Sequence, residues 1–333
     1  MTRLDALLTE LSIPGWIPYD LVTKGTRFWL EWRFIGPIPL RDPWFEDTVR
    51  RYRCSVNDAI PPLRTPIETL DYRPPDMSLP LAGVIFHASR CGSTLLVRML
   101  ANSPRLSVLA EPPVIESLIN WSHSQGSDDW ARLAPRLQAA LSYLGRRRRS
   151  SEELLILKSE SEHIIDRALF ESIRPGVPWI FLFREPEAIL FSHSLRRGRQ
   201  MVPSMLHPSR LGRNHEEITS MGLDRYCALV LERTFAAAVE HLEAANGRAI
   251  HYRRLPAYAW QGLNEHFSLG LSDPEIDAMR ECSRFDAKRI GRKPYDGGSA
   301  NHGPIPDELR ALGQEAAQDF YERLEVLSST FGC

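Results

Sequence analysis

The stretch GVIFHASRCGSTLLVRML, Gly83 to Leu100, decides the fold. Val84, Ile85 and Phe86 form a short apolar run of strand character, Ser89 to Thr94 is a tight turn of small residues, and the segment after it has helical periodicity. The order is strand, loop, helix. A turn of this kind aims backbone N–H groups into one concavity at the positive end of a helix, where a phosphate or sulfate can be held. Arg90 adds a fixed cation, and Ser93 and Thr94 add hydroxyl donors. Taken alone, the same residues also suit a plain Gly/Ser turn.

The nucleotide loop GxxxxGK[ST] is only half present. With Gly92 on its second glycine, His87 stands at the first glycine and Ser93 at the lysine that reaches β- and γ-phosphates. An ordinary ATPase or GTPase is therefore disfavoured.

Working outward, strand-like apolar runs recur. Leu106 to Leu109 ends at Ala110-Glu111-Pro112-Pro113, Leu154 to Leu157 ends at Lys158-Ser159-Glu160, and PWIFLF (Pro178 to Phe183) ends at Arg184-Glu185-Pro186. Helical segments separate them, a long Ala/Leu-rich helix covers Leu223 to Ala245, and Arg248 to Tyr252 reads as a last strand. Alternating strand and helix predicts an α/β fold of three layers, α/β/α, around a central parallel sheet. Three strands then deliver polar residues from their carboxyl ends, where open α/β sheets bind ligands.

Residues 1–80 are rich in proline and carry Trp16, Trp29, Trp32, Trp44 and Phe45, with no evident chemistry. They read as a collar that packs on a domain formed by residues 81–333. FWLEWRFIG suggests a strand there and DPWFEDTVRRYR a helix.

The 333 residues carry 41 Lys+Arg against 42 Asp+Glu, a net charge of -1, so no global field draws the protein to nucleic acid and any anion site must be local. The run Arg146 to Arg149 is the one basic cluster, and it suits a solvated helix end. Cys54, Cys91, Cys227, Cys282 and Cys333 are scattered without metal-ligand spacing, so the expectation is reduced thiols, a cytoplasmic location and no metal. The N-terminus shows no export signal, and no apolar run is long enough to span a bilayer. Nothing in the pattern speaks to oligomeric state.

FLFREPEAILFSHSL separates the phosphate chemistries. A nucleoside triphosphatase commonly ends its second core strand in an acidic residue for magnesium, whereas this strand ends in Arg184, with Ser192 eight residues later. An Arg and a Ser converging on one point make a phosphate clamp. Here the chain resembles the family of sulfotransferases that use 3′-phosphoadenosine 5′-phosphosulfate (PAPS). Arg90, Cys91, Gly92, Ser93 and Thr94 resemble its 5′-phosphosulfate loop, and Arg184 and Ser192 lie at the spacing of its 3′-phosphate-binding Arg and Ser. The likeness runs from Gly83 to Arg199, continues in outline to Tyr252 and is absent before residue 80. Cytosolic members carry a basic RKG-type segment near the C-terminus that contacts the 3′-phosphate, and this chain offers Arg292-Lys293-Pro294 in its place.

The resemblance implies a P-loop NTPase-like sulfotransferase fold. It also implies transfer of a sulfuryl group from PAPS to a hydroxyl or amine, with adenosine 3′,5′-bisphosphate (PAP) as product and a carboxylate as general base. Glu111 takes the position of the base in carboxylate-using members, and Pro112-Pro113 fixes the backbone that carries it. Glu160, in K-S-E, stands where cytosolic members have the His of K-T-H. Lys158 would steady the sulfuryl group. His87 and His193 read as satisfied histidines rather than catalysts. Small-molecule, carbohydrate and peptide acceptors are all compatible, since acceptor loops vary on a shared scaffold. The alternatives are a P-loop kinase for a small molecule and a non-catalytic nucleotide-binding protein of the same fold.

Overall fold

The computed structural model describes residues 3–25, 27–52, 60–72, 78–125, 130–244, 246–285 and 303–329. Arg292 and Lys293, along with Cys54 and Cys333, lie outside the described residues. In chain order the strands are β1 (Trp16–Lys24), β2 (Arg27–Phe34), β3 (Leu63–Pro66), β4 (Leu81–His87), β5 (Leu106–Ala110), β6 (Leu154–Lys158), β7 (Trp179–Phe183) and β8 (Gly247–His251). The helices are α1 (Arg3–Ser12), α2 (Phe45–Tyr52), α3 (Ser93–Leu100), α4 (Pro113–Ser124), α5 (Trp130–Leu144), α6 (Arg167–Ile173), α7 (Pro186–Leu195), α8 (His215–Thr219), α9 (Leu223–Ala244), α10 (Ala257–Trp260), α11 (Gly262–His266), α12 (Asp273–Ser283) and α13 (Asp307–Ser329).

The central sheet has the order β5-β6-β4-β7-β8 and every pair in it is parallel. Its strands are buried on both faces, which is why they read as unbroken apolar runs. Alternate residues feed opposite cores. Val84, Phe86, Leu155, Leu157, Phe181 and Phe183 face one, while Ile85, Ile156, Ile180 and Leu182 face the other. The first core is closed by residues of α4 to α7, α9 and α13, and the second by α3, α10, α11 and α12. Helices on both faces of a parallel sheet make the three-layer α/β/α architecture expected from the alternation.

Residues before Pro66 form an antiparallel sheet of order β1-β2-β3, and its apolar side joins the first core. The β1 strand was not legible as one. Its inner end is buried at Trp16 and Ile17, and it is fastened to α4 where Ser117 donates to Asp20. Trp32 packs edge-on against Tyr143 of α5, with centroids 4.8 Å apart, and its indole N–H donates to Thr65 Oγ at 3.0 Å. A buried indole needs such an acceptor.

The arginine run serves the end of α5. Arg148 donates to the carbonyl of Leu144, the last helical residue, at 3.0 Å, and buried Arg146 donates to the carbonyl of Leu11 at 2.7 Å while its guanidinium lies 4.3 Å from the Tyr143 ring centre. Cations at a helix C-terminus satisfy carbonyls that have no partner in the helix.

Candidate active site

Because all five central strands are parallel, their carboxyl ends share one edge of the sheet. Across that edge the chain presents, in spatial order, Glu111 after β5, Lys158 at the end of β6, His87 and the Ser89–Thr94 loop after β4, Arg184 after β7, and Tyr252 after β8. The loop therefore sits after the central strand, with carboxylate and lysine on one flank and an arginine on the other.

The loop backbone is unusual. Ser89 and Arg90 have φ of 62° and 51°, and Gly92, at the N-cap of α3, has φ 86°. Left-handed conformations at two successive non-glycine residues are rare and need support from their surroundings. That support is visible. The Ser89 amide donates to His87 Nδ1 at 3.1 Å, and the Ser89 hydroxyl lies 3.1 Å from His193 Nε2 on α7 and 3.4 Å from the Gln200 amide nitrogen. His193 Nδ1 accepts from the Gly198 N–H at 3.1 Å, so its proton is on Nε2, pointing at Ser89. Arg90 donates through Nη2 to the carbonyl of Arg196 at 2.6 Å. The first amides of α3 have no carbonyl one turn back to bond, and they open toward the loop. Cys91 is buried, with its thiol donating to the Leu182 carbonyl at 3.1 Å, and burial pushes it up to about 11, so it is no nucleophile.

Arg184 converges on this loop. Its Nη1 reaches the carbonyl of Arg90 at a long 3.4 Å across 94 residues of sequence. Its guanidinium lies over the Tyr252 ring, 4.9 Å from the centre, and the same ring packs on Gly92, where an added Cβ would meet it at 2.8 Å. The Nε atoms of both Arg90 and Arg184 are buried without a hydrogen-bond acceptor among the described residues. Glu185 Oε2 lies 3.6 Å from Arg184 Nε, too far for a hydrogen bond, so both guanidinium groups keep donors that suit an anionic ligand. Ser192 lies half-buried on α7, beside the His193 that supports Ser89.

On the other flank, Glu111 has φ 57°, held by its amide donating to the Lys158 carbonyl at 2.9 Å and by the following proline. Its carboxylate pairs with the buried Lys158 ammonium and lies 3.2 Å from His87 Nε2. Burial raises the Glu111 carboxyl, but the Lys158 charge and the His87 hydrogen bond outweigh it and hold it at about 2. Glu160 goes the other way. Burial, reinforced by the charges of Glu111 and Glu162, lifts it well above the usual carboxylate range, and the cation nearest to it is Arg199, 3.9 Å away. The two carboxylates at this sheet edge thus shift in opposite directions.

Beneath this flank lies a buried ionic cluster. Arg210 donates to both oxygens of Glu116 at 2.9 and 3.1 Å and to Asp166 at 2.5 Å, and His163 Nε2 is 2.9 Å from Glu116. His163 Nδ1 accepts from the Glu160 amide at 3.3 Å, which ties the cluster to the base candidates.

Sequence reasoning placed Arg90 to Thr94, Arg184, Lys158, Glu111 and Glu160 at strand ends, and the fold brings those strand ends to one edge. It passed over the support given by His87, His193, Gln200 and Tyr252. Tyr252 was read as the last residue of the final strand, which instead ends at His251, and its place at that strand end was the signal available.

No protein-family model matches the chain, and no curated protein matches it by sequence. Solved structures do. The sulfotransferase STF9 from Mycobacterium avium is similar at 13% identity over 76% of this chain and 78% of that one, with a TM-score of 0.44. The sulfotransferase domain of the Synechococcus PCC 7002 olefin synthase is similar at 14% identity over 77% and 97%, TM-score 0.40. A sulfotransferase from Alicyclobacillus acidocaldarius is similar at 16% identity over 74% and 95%, TM-score 0.39. Among the described residues no helix is long and apolar enough to cross a membrane, and no group of three or more His, Cys, Asp or Glu side chains is placed to hold a metal ion.

Proposed function

We propose that this protein is a sulfotransferase that moves a sulfuryl group from PAPS to a hydroxyl or amine acceptor. The observation that carries the reading is the convergence of Arg184 on the Arg90 loop, with a lysine and two carboxylates on the opposite flank of the same loop. A bisphosphorylated nucleotide would be held by the loop amides, Ser93, Thr94 and Arg90 on its 5′ side, and by Arg184 and Ser192 on its 3′ side. PAPS supplies the sulfuryl group when bound.

The protein's own residues then have defined tasks. Arg90 and the loop donors stabilise the charge that develops on the phosphate oxygen as its bond to sulfur breaks. Lys158 neutralises the sulfuryl oxygens. Glu111 takes the proton from the acceptor oxygen as the new oxygen–sulfur bond forms. Lys158 is also the main charge holding Glu111 at about 2. An ammonium drawn toward an anionic sulfuryl group releases that hold, so Glu111 becomes more basic when the donor is in place. Glu160 stands by as the second carboxylate.

The first test is binding. PAP titrated calorimetrically into the protein in the presence of a chelator binds with no divalent ion, and more tightly than ATP. Binding that needs magnesium, or preference for ATP, would point to a small-molecule kinase. PAP binding with no consumption of PAPS would leave a nucleotide-binding protein without catalysis.

A second expectation concerns the clamp. Arg184→Ala removes charge-assisted hydrogen bonds worth about 1.5–3 kcal/mol each, so PAP affinity falls by at least tenfold while the melting temperature without ligand changes little. An unchanged dissociation constant would place the 3′-phosphate elsewhere.

A further inference from the structure

His87 ends β4 and is buried, and the sulfotransferase reading gives it no task. Its bonds are directional. Nδ1 accepts the backbone N–H of Ser89 at 3.1 Å, and an amide can only donate, so Nδ1 carries no proton. The neutral ring therefore has its proton on Nε2. That nitrogen lies 3.1 Å from the Ser159 carbonyl and 3.2 Å from Glu111 Oε1, and both are acceptors. Burial and the neighbouring Lys158 charge both lower the pKa of His87, consistent with a neutral ring.

One imidazole thus touches three strand ends. It receives the loop through Ser89, after β4, and gives its proton jointly to Ser159, after β6, and to Glu111, after β5. Both residues that it fixes, Ser89 and Glu111, are in left-handed backbone conformations that glycine alone adopts without strain. Lys158 reaches the same oxygen of Glu111 from the neighbouring strand, so the carboxylate is held between two donors.

We infer that His87 is a positioning residue that sets the carboxylate of Glu111 in register with the anion loop, using one ring nitrogen for each. The inference rests on the sulfotransferase reading only for what the carboxylate does, since the bonding itself is independent of the reaction. With His87 removed, Glu111 keeps its lysine but loses its fixed distance from the loop, and misplacement of a reacting group by about 1 Å can cost about 10²-fold in rate.

The test uses the full chain and needs no knowledge of the acceptor. Nitrogen NMR of the labelled imidazole is expected to show Nε2 protonated and Nδ1 bare, with the Nε2 signal shifting in Glu111→Gln. Turnover is followed as the slow hydrolysis of PAPS, in which water is the acceptor and PAP, sulfate and two protons are the products. His87→Leu is expected to slow it about 10²-fold. His87→Gln, whose side-chain amide can donate from near the position of Nε2 but cannot accept from the Ser89 amide as Nδ1 does, is expected to recover part of kcat with the wild-type KM for PAPS. A proton on Nδ1, a Nε2 signal indifferent to Glu111→Gln, or a His87→Gln variant no faster than His87→Leu overturns the inference. If His87→Leu does not fold, the tautomer measurement and His87→Gln against wild type still decide it. A wild-type protein that neither binds PAP nor consumes PAPS removes the sulfotransferase reading alone, and the NMR result still stands for or against His87.

Discussion

If Glu111 is the general base proposed above, Glu111→Gln is expected to lower turnover by about 10²–10⁴-fold while PAP affinity hardly changes. Glutamine keeps the size of the side chain and an oxygen for Lys158 and His87, so the positive-φ backbone at residue 111 and its neighbours are left in place. What it lacks is a site for the acceptor proton. Glu160→Gln has the milder effect. That carboxyl is already lifted well above the usual range by burial and by Glu111 and Glu162, so it is the poorer candidate for an ionised proton acceptor in the resting protein. The measurement is single-turnover transfer or hydrolysis of PAPS beside calorimetry with PAP. The opposite ranking, with Glu160→Gln inactive and Glu111→Gln near wild type, moves the base to the end of β6 and leaves Glu111 as the counter-ion of Lys158.

The second large effect is on stability. Arg210→Leu is expected to destabilise the fold by about 3–5 kcal/mol, because it strands two buried carboxylates without their cation. The Arg210 guanidinium is fully enclosed and bonds Glu116 and Asp166 at once. Burial raises the Glu116 carboxyl, and the Arg210 charge and the His163 hydrogen bond bring it back below its ordinary value. Removing all the charges together is a different matter. The triple variant Arg210→Leu, Glu116→Gln, Asp166→Asn recovers much of the loss, since a cluster taken out whole leaves no unpaired charge behind. Urea unfolding of the three proteins reads both effects. A loss below about 1 kcal/mol in Arg210→Leu would mean that water or a rearranged neighbour replaces the guanidinium.

Local sequence carried much of the architecture and one part of the site. A strand buried on both faces must be apolar throughout, so β4, β6 and β7 were legible from composition alone. The Ser89–Thr94 loop between strand and helix was legible because its parts are consecutive in the chain. Glu111, Lys158 and Arg184 could be placed because each follows directly on a readable strand, and parallel topology brings such ends together. The β1 strand was not readable, since Pro18 and Asp20 interrupt it and only its first residues are buried. The supports of the site were hidden for a different reason. His87 finds Ser159 at a separation of 72 residues, Arg210 finds Glu116 at 94, and Ser89 finds His193 at 104. None of these pairs follows a helical or strand period, so no window along the chain contains the signal. The arginine run shows the converse. Four adjacent cations suit a solvated helix end, and Arg148 does bond the Leu144 carbonyl that ends α5, yet Arg146 is buried and donates to the Leu11 carbonyl of α1.

The stack of Gly92, Tyr252 and Arg184 makes the two ends of the proposed nucleotide site mechanically dependent on each other. The ring of Tyr252 rests on the bare α-carbon of Gly92 and carries the Arg184 guanidinium 4.9 Å from its centre. Any side chain at position 92 would lift the ring, and the ring would lift the guanidinium, so an alteration in the loop is felt at Arg184 across the proposed site. A glycine there acts as the seat of a lever whose far arm, Arg184, is distant in sequence but only one ring away in space.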